Sequence, residues 1–513
     1  MSAHIPHHRS AVVPTHMLPH RPMPLPAFGT ALSLTLMLAA CNGSGTGGQV
    51  TPKPAVTPTP VIATCQASSS WITSPQMPGE VATAESFCDF YQFSWQWFLA
   101  QVSPSNPANP NSERVFESNR LHVPNADGKN NDQCLLQAIT GRTAAAKLLA
   151  MRTIKPKDFE EKEADGNALY DQNGNIVYYS IWYSQAECAA TQGGFAPGTV
   201  EIKVAWKILP APDATYFTMQ AMLPGSTTPA TLGLVGFHLV NWTPNHPEMI
   251  WSTFEHKSNA PLCDGSSVAP ASGWSFTSAE AAACLATNKQ GSPNISVQCS
   301  NYNFNSPHTS FTGTPPVTTQ NPDEICRLYA HGNELGDTAS NGNSNAENLA
   351  AIQQLNQQLV GPTGMLTQLP ASNPMSVWQN YHMIGGLWTK GGVQSCDPAL
   401  NNCNLPVTNT YYAADPTNMQ RGSLQLTNMT LETFQQGATS QIPNCFGCHN
   451  YYPAGTPNQS PLSVSHIAGD LFPSTWFPSS PAAPQGSTPS PASSPAAAAP
   501  TATASSGTQG GHQ

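Results

Sequence analysis

Between residues 173 and 256 the chain carries five strand-like segments in close succession: NGNIVYYSIWY (173–183), TVEIKVAWKIL (199–209), ATYFTMQAM (214–222), LGLVGFHLVNW (232–242) and MIWSTFEH (249–256). Each is rich in β-branched and aromatic residues and bounded by turn formers. The second alternates, with Val200, Ile202, Val204, Trp206 and Ile208 on one side and Glu201, Lys203 and Lys207 on the other. A period of two is a strand's period, and charge at every other position marks a side turned to water. The short PAPD link at 210–213 suits a hairpin. Five such segments predict an antiparallel meander with one covered face.

Helical patterns flank it. SFCDFYQFSWQWFLAQV (86–102) is aromatic nearly all round, as a buried helix is. In 343–361, Leu349, Ile352, Leu355 and Leu359 recur at helical spacing before Gly361. TNMTLETFQQ (427–436) reads as a short helix opened by a Thr or Asn cap. The fold class expected is α+β, an antiparallel meander flanked by helices, with a short C-terminal helical or loop segment.

The 513 residues do not all read as core. Residues 1–40 resemble a signal peptide, and the Gly/Thr/Pro-rich 41–62 a flexible tether. Residues 63–426 are expected to form the mixed domain and 427–476 a cofactor-binding segment. The Pro/Ala/Ser-rich 477–513 is expected to be a disordered tail. Only 9% of residues are charged, and the net charge is −10. No basic run could follow a phosphate backbone, which argues against nucleic acid. An acidic surface suits a basic redox partner.

Just before the tail stands NCFGCHN, residues 444–450. Cys-x-x-Cys-His is the spacing for covalent haem: Cys445 and Cys448 reach two vinyl groups, and His449 lies beneath the iron. Composition alone predicts about 0.01 occurrences, so chance is a poor explanation. A structural zinc wants four ligands, and a redox dithiol a βαβ setting. Neither is evident nearby, although His466 could join a zinc set and a plain disulfide is a third option. One haem c is the expected cofactor.

Covalent haem attachment takes place outside the cytoplasm, and the N-terminal region agrees. Arg21 precedes an apolar run from Ala27 to Ala40, too short for a membrane span. Its end, Leu38-Ala39-Ala40-Cys41, resembles a bacterial lipobox, which implies cleavage before Cys41 and a lipid on its sulfur. The alternative is an ordinary secretory signal. Met17 or Met23 could be the initiator. Asn42 favours the outer membrane, and the lipid would anchor the protein rather than span the bilayer. Setting aside Cys41, Cys445 and Cys448 leaves ten of 13 cysteines, enough for five disulfides in an oxidising compartment. Cys284 with Cys299, and Cys396 with Cys403, are plausible local pairs.

Several stretches together resemble a family of large bacterial mono-haem c-type cytochromes: SWQWFLAQ (94–101), YDQNGNIVYYSIW (170–182), VEIKVAWKIL (200–209), LVGFHLVNWTPNHPEMIWSTFEHKSNAP (234–261) and NMTLETFQQ with CFGCHN. The resemblance runs through most of residues 85–455, and WSTFEH with CxxCH is its most specific part. It implies a periplasmic or surface haem protein with no assigned substrate. EHKSNAP departs here from the family's more usual EHVDNAP.

The sixth iron ligand is open. No Met follows Met429, so the downstream Met of small electron carriers is excluded. His466 lies 17 residues beyond His449, and His256 ends a strand beside Glu255, which could fix its ring. His238 is a weaker candidate among apolar strand residues. For each the alternative is a structural histidine. Three functions follow. The first is a lipid-anchored electron carrier in the cell envelope. The second is a haem enzyme or small-ligand sensor with an open sixth position. The third is a surface-binding lipoprotein with structural haem.

Overall fold

The alternation read from the sequence does build strands. In the computed structural model, residues 64–118, 120–121, 167–191, 194–223, 228–290, 294–307, 321–332, 344–389 and 420–436 are described, together with Cys445, His449 and Ser465. Among these, eight antiparallel strands form one sheet: β1 (Arg120–Leu121), β2 (Tyr178–Tyr183), β3 (Val200–Ile208), β4 (Thr218–Met222), β5 (Pro229–Thr243), β6 (His246–His256), β7 (Tyr381–Thr389) and β8 (Gln420–Gly422). The order is β1-β2-β3-β5-β6-β7-β8, and β4 pairs with the start of β5. All five segments expected as strands are present. The expected tails and tether, residues 1–62 and 477–513, lie outside the described residues, as do Cys41, Cys396, Cys403, Cys448 and His466.

The first face of the sheet is apolar. Val200, Ile202, Val204 and Trp206 join Phe237, Leu239, Ile250 and Phe254 in one buried cluster. Helices α1 (Phe87–Val102) and α3 (Asn345–Val360) cover it; α2 (Ala279–Thr287) lies elsewhere in the chain order. Ser86 caps α1: its Oγ accepts from Asp89 N, and its own N donates to Asp89 Oδ2 at 2.9 Å. Eleven of the 16 α1 residues are buried, which explains the aromatic surround. Phe98 stacks on Phe254 at 4.0 Å and meets Trp95, Phe237 and Trp378 edge-on. Ser86→Ala should cost about 1 kcal/mol, read as a lower urea midpoint with an unchanged slope.

The second face is covered too, contrary to the expected single covered face. Glu201 and Lys207, read as turned to water, are both buried. Residues 423–436 close over this side, and Met429 and Leu431 join Val177, Tyr179, Ala205 and Val235 in a second cluster. Two glycines allow the approach. A Cβ on Gly236 would lie 2.1 Å from Thr430 Oγ1, and one on Gly385 2.2 Å from Ser423 Oγ. Lys207 is tolerated because its Nζ donates to Ser275 Oγ at 3.1 Å and Asp171 lies near enough to attract it.

The helix expected at 427–436 is reduced to one 3₁₀ turn, Thr433–Gln435. Asn428 explains the difference. Its Nδ2 donates to Thr253 Oγ1 at 2.7 Å, and its Oδ1 accepts from Thr430 N at 2.9 Å, so the side chain pins a bend to the sheet.

Three disulfides are formed among the described residues: Cys65–Cys88, Cys263–Cys326 and the expected Cys284–Cys299. No helix among the described residues is long and apolar enough to cross a membrane.

Candidate functional site

Alternation along β6 turns Trp251, Thr253 and Glu255 to the second face. Their cross-strand partners Val240, His238 and Gly236 on β5 point the same way. On β3, Glu201 and Lys203 continue the two rows, opposite Val240 and His238. The polar residues of three strands therefore share one surface beneath the C-terminal chain.

The CxxCH segment touches this surface. The His449 ring lies 4.3 Å from the Trp251 ring at 52°. His449 N donates to Cys445 O at 2.8 Å, one helical turn back, and both residues are half-buried. That turn sets the first cysteine and the histidine on one side of the backbone. A thiol and an imidazole thus share one turn against the Trp251 ring, while Cys448 lies outside the described residues. Among the described residues no three His, Cys, Asp or Glu side chains cluster as a metal-ion set.

Two strands away, Ser465 Oγ donates to Glu201 Oε2 at 2.6 Å and lies 3.5 Å from Glu187 Oε1. Glu201, Val240 and Trp251 form one cross-strand row, so the row spans about 10 Å from the Ser465 contact to the His449 contact. Burial raises the Glu187 carboxyl, the Glu201 charge raises it further, and burial raises Glu201 as well. Because these values are raised, the pair's stabilisation is present in acid and is lost as pH rises through them.

His238 Nε2 meets Glu432 Oε1 at 2.7 Å. Burial acts to raise the Glu432 carboxyl. The charge and hydrogen bond of His238, with Lys203 and the Asn428 amide, outweigh it and hold the group below its usual range.

His256 sits at the C-terminal end of β6, where its ring reaches Tyr216 of the second cluster. Its ring stacks on Tyr216 at 3.9 Å and meets Tyr381 edge-on at 5.1 Å. Nε2 donates to Thr215 O at 3.0 Å, and Nδ1 accepts from Ser258 N at 3.2 Å. Both nitrogens are occupied, so in this conformation the ring offers no lone pair to an iron. Nor does Glu255 orient it, because neighbours in a strand point to opposite faces. Glu255 instead pairs with Arg327 and accepts from Met429 N at 2.7 Å.

Burial pushes His256 down to about 3 from its ordinary 6.5. Below 6.5 the unfolded chain takes the proton first, so this contribution is complete above that pH and fades as pH falls toward 3. At about pH 4.5 the loss is roughly 3 kcal/mol. Urea denaturation at neutral and acid pH should show His256→Gln, which keeps a donor for Thr215 O, lacking that part of the acid dependence.

Sequence reasoning missed Trp251, Asn428 and Arg327. Arg327 had a visible signal: in a chain with 9% charged residues, a cation beside a cysteine and before LYA is unusual. Nothing in the chain marked its partner. Comparison with protein-family models, with characterised proteins and with solved structures finds no match to this chain.

Proposed function

We propose that this protein is an exported mono-haem c-type cytochrome, held to the cell envelope by a lipid on Cys41 and relaying electrons there. Cys445 and Cys448 would carry the haem as thioethers, and His449 would ligate its iron. The observation that carries this reading is the turn joining Cys445 to His449, with the imidazole against Trp251. Three disulfides accord with an oxidising compartment. The resemblance to large mono-haem cytochromes points the same way. When bound, the haem supplies a one-electron redox centre. The chain's part is to hold His449 by its turn and by the Trp251 ring, and to shield that side with the sheet.

Protein matured with a c-haem assembly system should keep its haem through acidified acetone and denaturing gels. Cys445→Ala with Cys448→Ala should lose it. Release of haem from the wild type, or zinc in its place, would refute the proposal. Intact mass should also show an acylated N-terminus at Cys41, and Cys41→Ser should leave the membrane fraction.

One observation favours a second reading. His256 holds both ring nitrogens in other bonds and His238 holds Nε2 against Glu432, so the sixth position falls to His466, to the Nδ1 of His238, or to no side chain. If His466→Ala leaves a low-spin ferric spectrum unchanged, His466 is not the ligand. If the wild type is already high-spin and takes up CO when reduced, the protein is a haem enzyme or ligand sensor rather than a carrier.

A further inference from the structure

Glu255 and His382 are direct cross-strand partners on β6 and β7. Both line a cavity of about 630 Å³ bounded on another side by the C-terminal end of α3. Along β6, Glu255 is about 13 Å from Trp251, so the cavity is separate from the CxxCH contact. Among the described residues its lining holds one acid, Glu255, and two cations, Arg327 and Lys257. Glu255 is paired with Arg327, whose Nη1 also donates to Thr427 O.

Lys257 is different. Its Nζ donates to Val360 O at 2.5 Å and to Gln379 O at 2.7 Å, which are main-chain acceptors without formal charge. The end of α3 offers about half a negative charge. A third N–H remains, and among the described residues the wall contains no second carboxylate. Three imidazoles share the cavity. His256 is fully bonded, and His331 Nδ1 pairs with Ile384 O at 3.0 Å. The His382 ring is half-buried and has no hydrogen-bond partner among the described residues.

We propose that this cavity binds a small organic anion, whose carboxylate or phosphoryl oxygens take the third Lys257 N–H and the His382 imidazole. The charge census asks for an anion, because the described wall is one negative charge short. The volume asks for an organic one, since about 300–1,000 Å³ is the range of small-molecule sites. Gln353 and Gln357 line the same space and suit the remainder of a polar ligand.

Proton linkage follows. Burial holds His382 well below its ordinary value, and Lys257, Arg327, His331 and His256 press it further down. Glu255, facing it across the strands, has its charge taken by Arg327. Burial also lowers Lys257 to about 8, so the ammonium is partly lost at the upper pH; an added anion favours the proton on both Lys257 and His382, so binding takes up protons and tightens as pH falls.

Calorimetric titration of the full-length chain with succinate, and separately with inorganic phosphate, tests this near pH 6 and pH 8. Binding should saturate at one site and be about tenfold tighter at the lower pH. Lys257→Met and His382→Gln should each weaken it about tenfold, while Lys257→Arg should retain it. Preference for succinate or for phosphate identifies the anionic group. Lys257 also caps α3, so Lys257→Met is melted in parallel; if it unfolds, His382→Gln still decides, because that ring holds no bond to lose. No saturable heat from either anion at either pH, or equal affinity in the wild type and His382→Gln, would overturn the proposal. The measurement does not depend on haem, so its failure leaves the cytochrome reading untouched.

Discussion

Arg327→Met should destabilise the fold by about 3–5 kcal/mol, because it leaves the Glu255 carboxylate buried without its cation. Glu255 is 2% exposed and Arg327 5%. The guanidinium also donates to Thr427 O at 3.1 Å, so it ties residues 423–436 to β6 as well as neutralising a charge. Glu255→Gln alone should be similarly harmful, since it strands the cation. The double substitution should cost clearly less than the sum of the two, and urea denaturation of all four chains measures the coupling. Additive losses would show that the pair acts only as packing.

The second large effect is expected at Phe98. Phe98→Ala removes a ring that is 0% exposed and lies where α1 meets β5, β6 and the Trp378 turn. The cavity left among Trp95, Phe237, Phe254 and Trp378 should cost about 3–5 kcal/mol, measured by urea or thermal denaturation. Phe87, at the same helix's first position, is only partly buried against this cluster and meets Trp388 edge-on. Phe87→Ala should therefore cost much less. Equal losses would mean that α1 is held by its end rather than by its middle.

The strands were legible because one rule, period two, governs them locally. Val200, Ile202, Val204 and Trp206 needed only that rule. The same rule misled for Glu201 and Lys207. Alternating charge says which residues share a side, whereas what covers that side is decided by residues 423–436, more than two hundred positions later. Adjacency misled at Glu255 and His256, since neighbours in sequence are strangers across a strand. Cys284–Cys299 was legible as a short loop, while Cys263–Cys326 pairs over 63 residues and left no local trace. At the candidate site, Cys445 and His449 were read from spacing alone. Trp251 was quoted in a motif, but nothing in its neighbours said that it meets a histidine almost two hundred residues away.

The sheet buried on both sides also dictates an order of assembly. β2 to β6 are contiguous in sequence and can pair as they emerge, but β7 joins β6 only after the long excursion from His256 to Tyr381. The closing layer at 423–436 arrives later still. Contacts so distant in sequence form slowly, so a nascent sheet waits with one side bare. Waiting is hazardous when the bare side is greasy, because exposed apolar surface recruits other chains. Here much of that side carries Glu201, Lys203, His238, Thr253 and Glu255, which water wets readily. The charges that look misplaced in the finished core would keep this side wetted until residues 423–436 close over it.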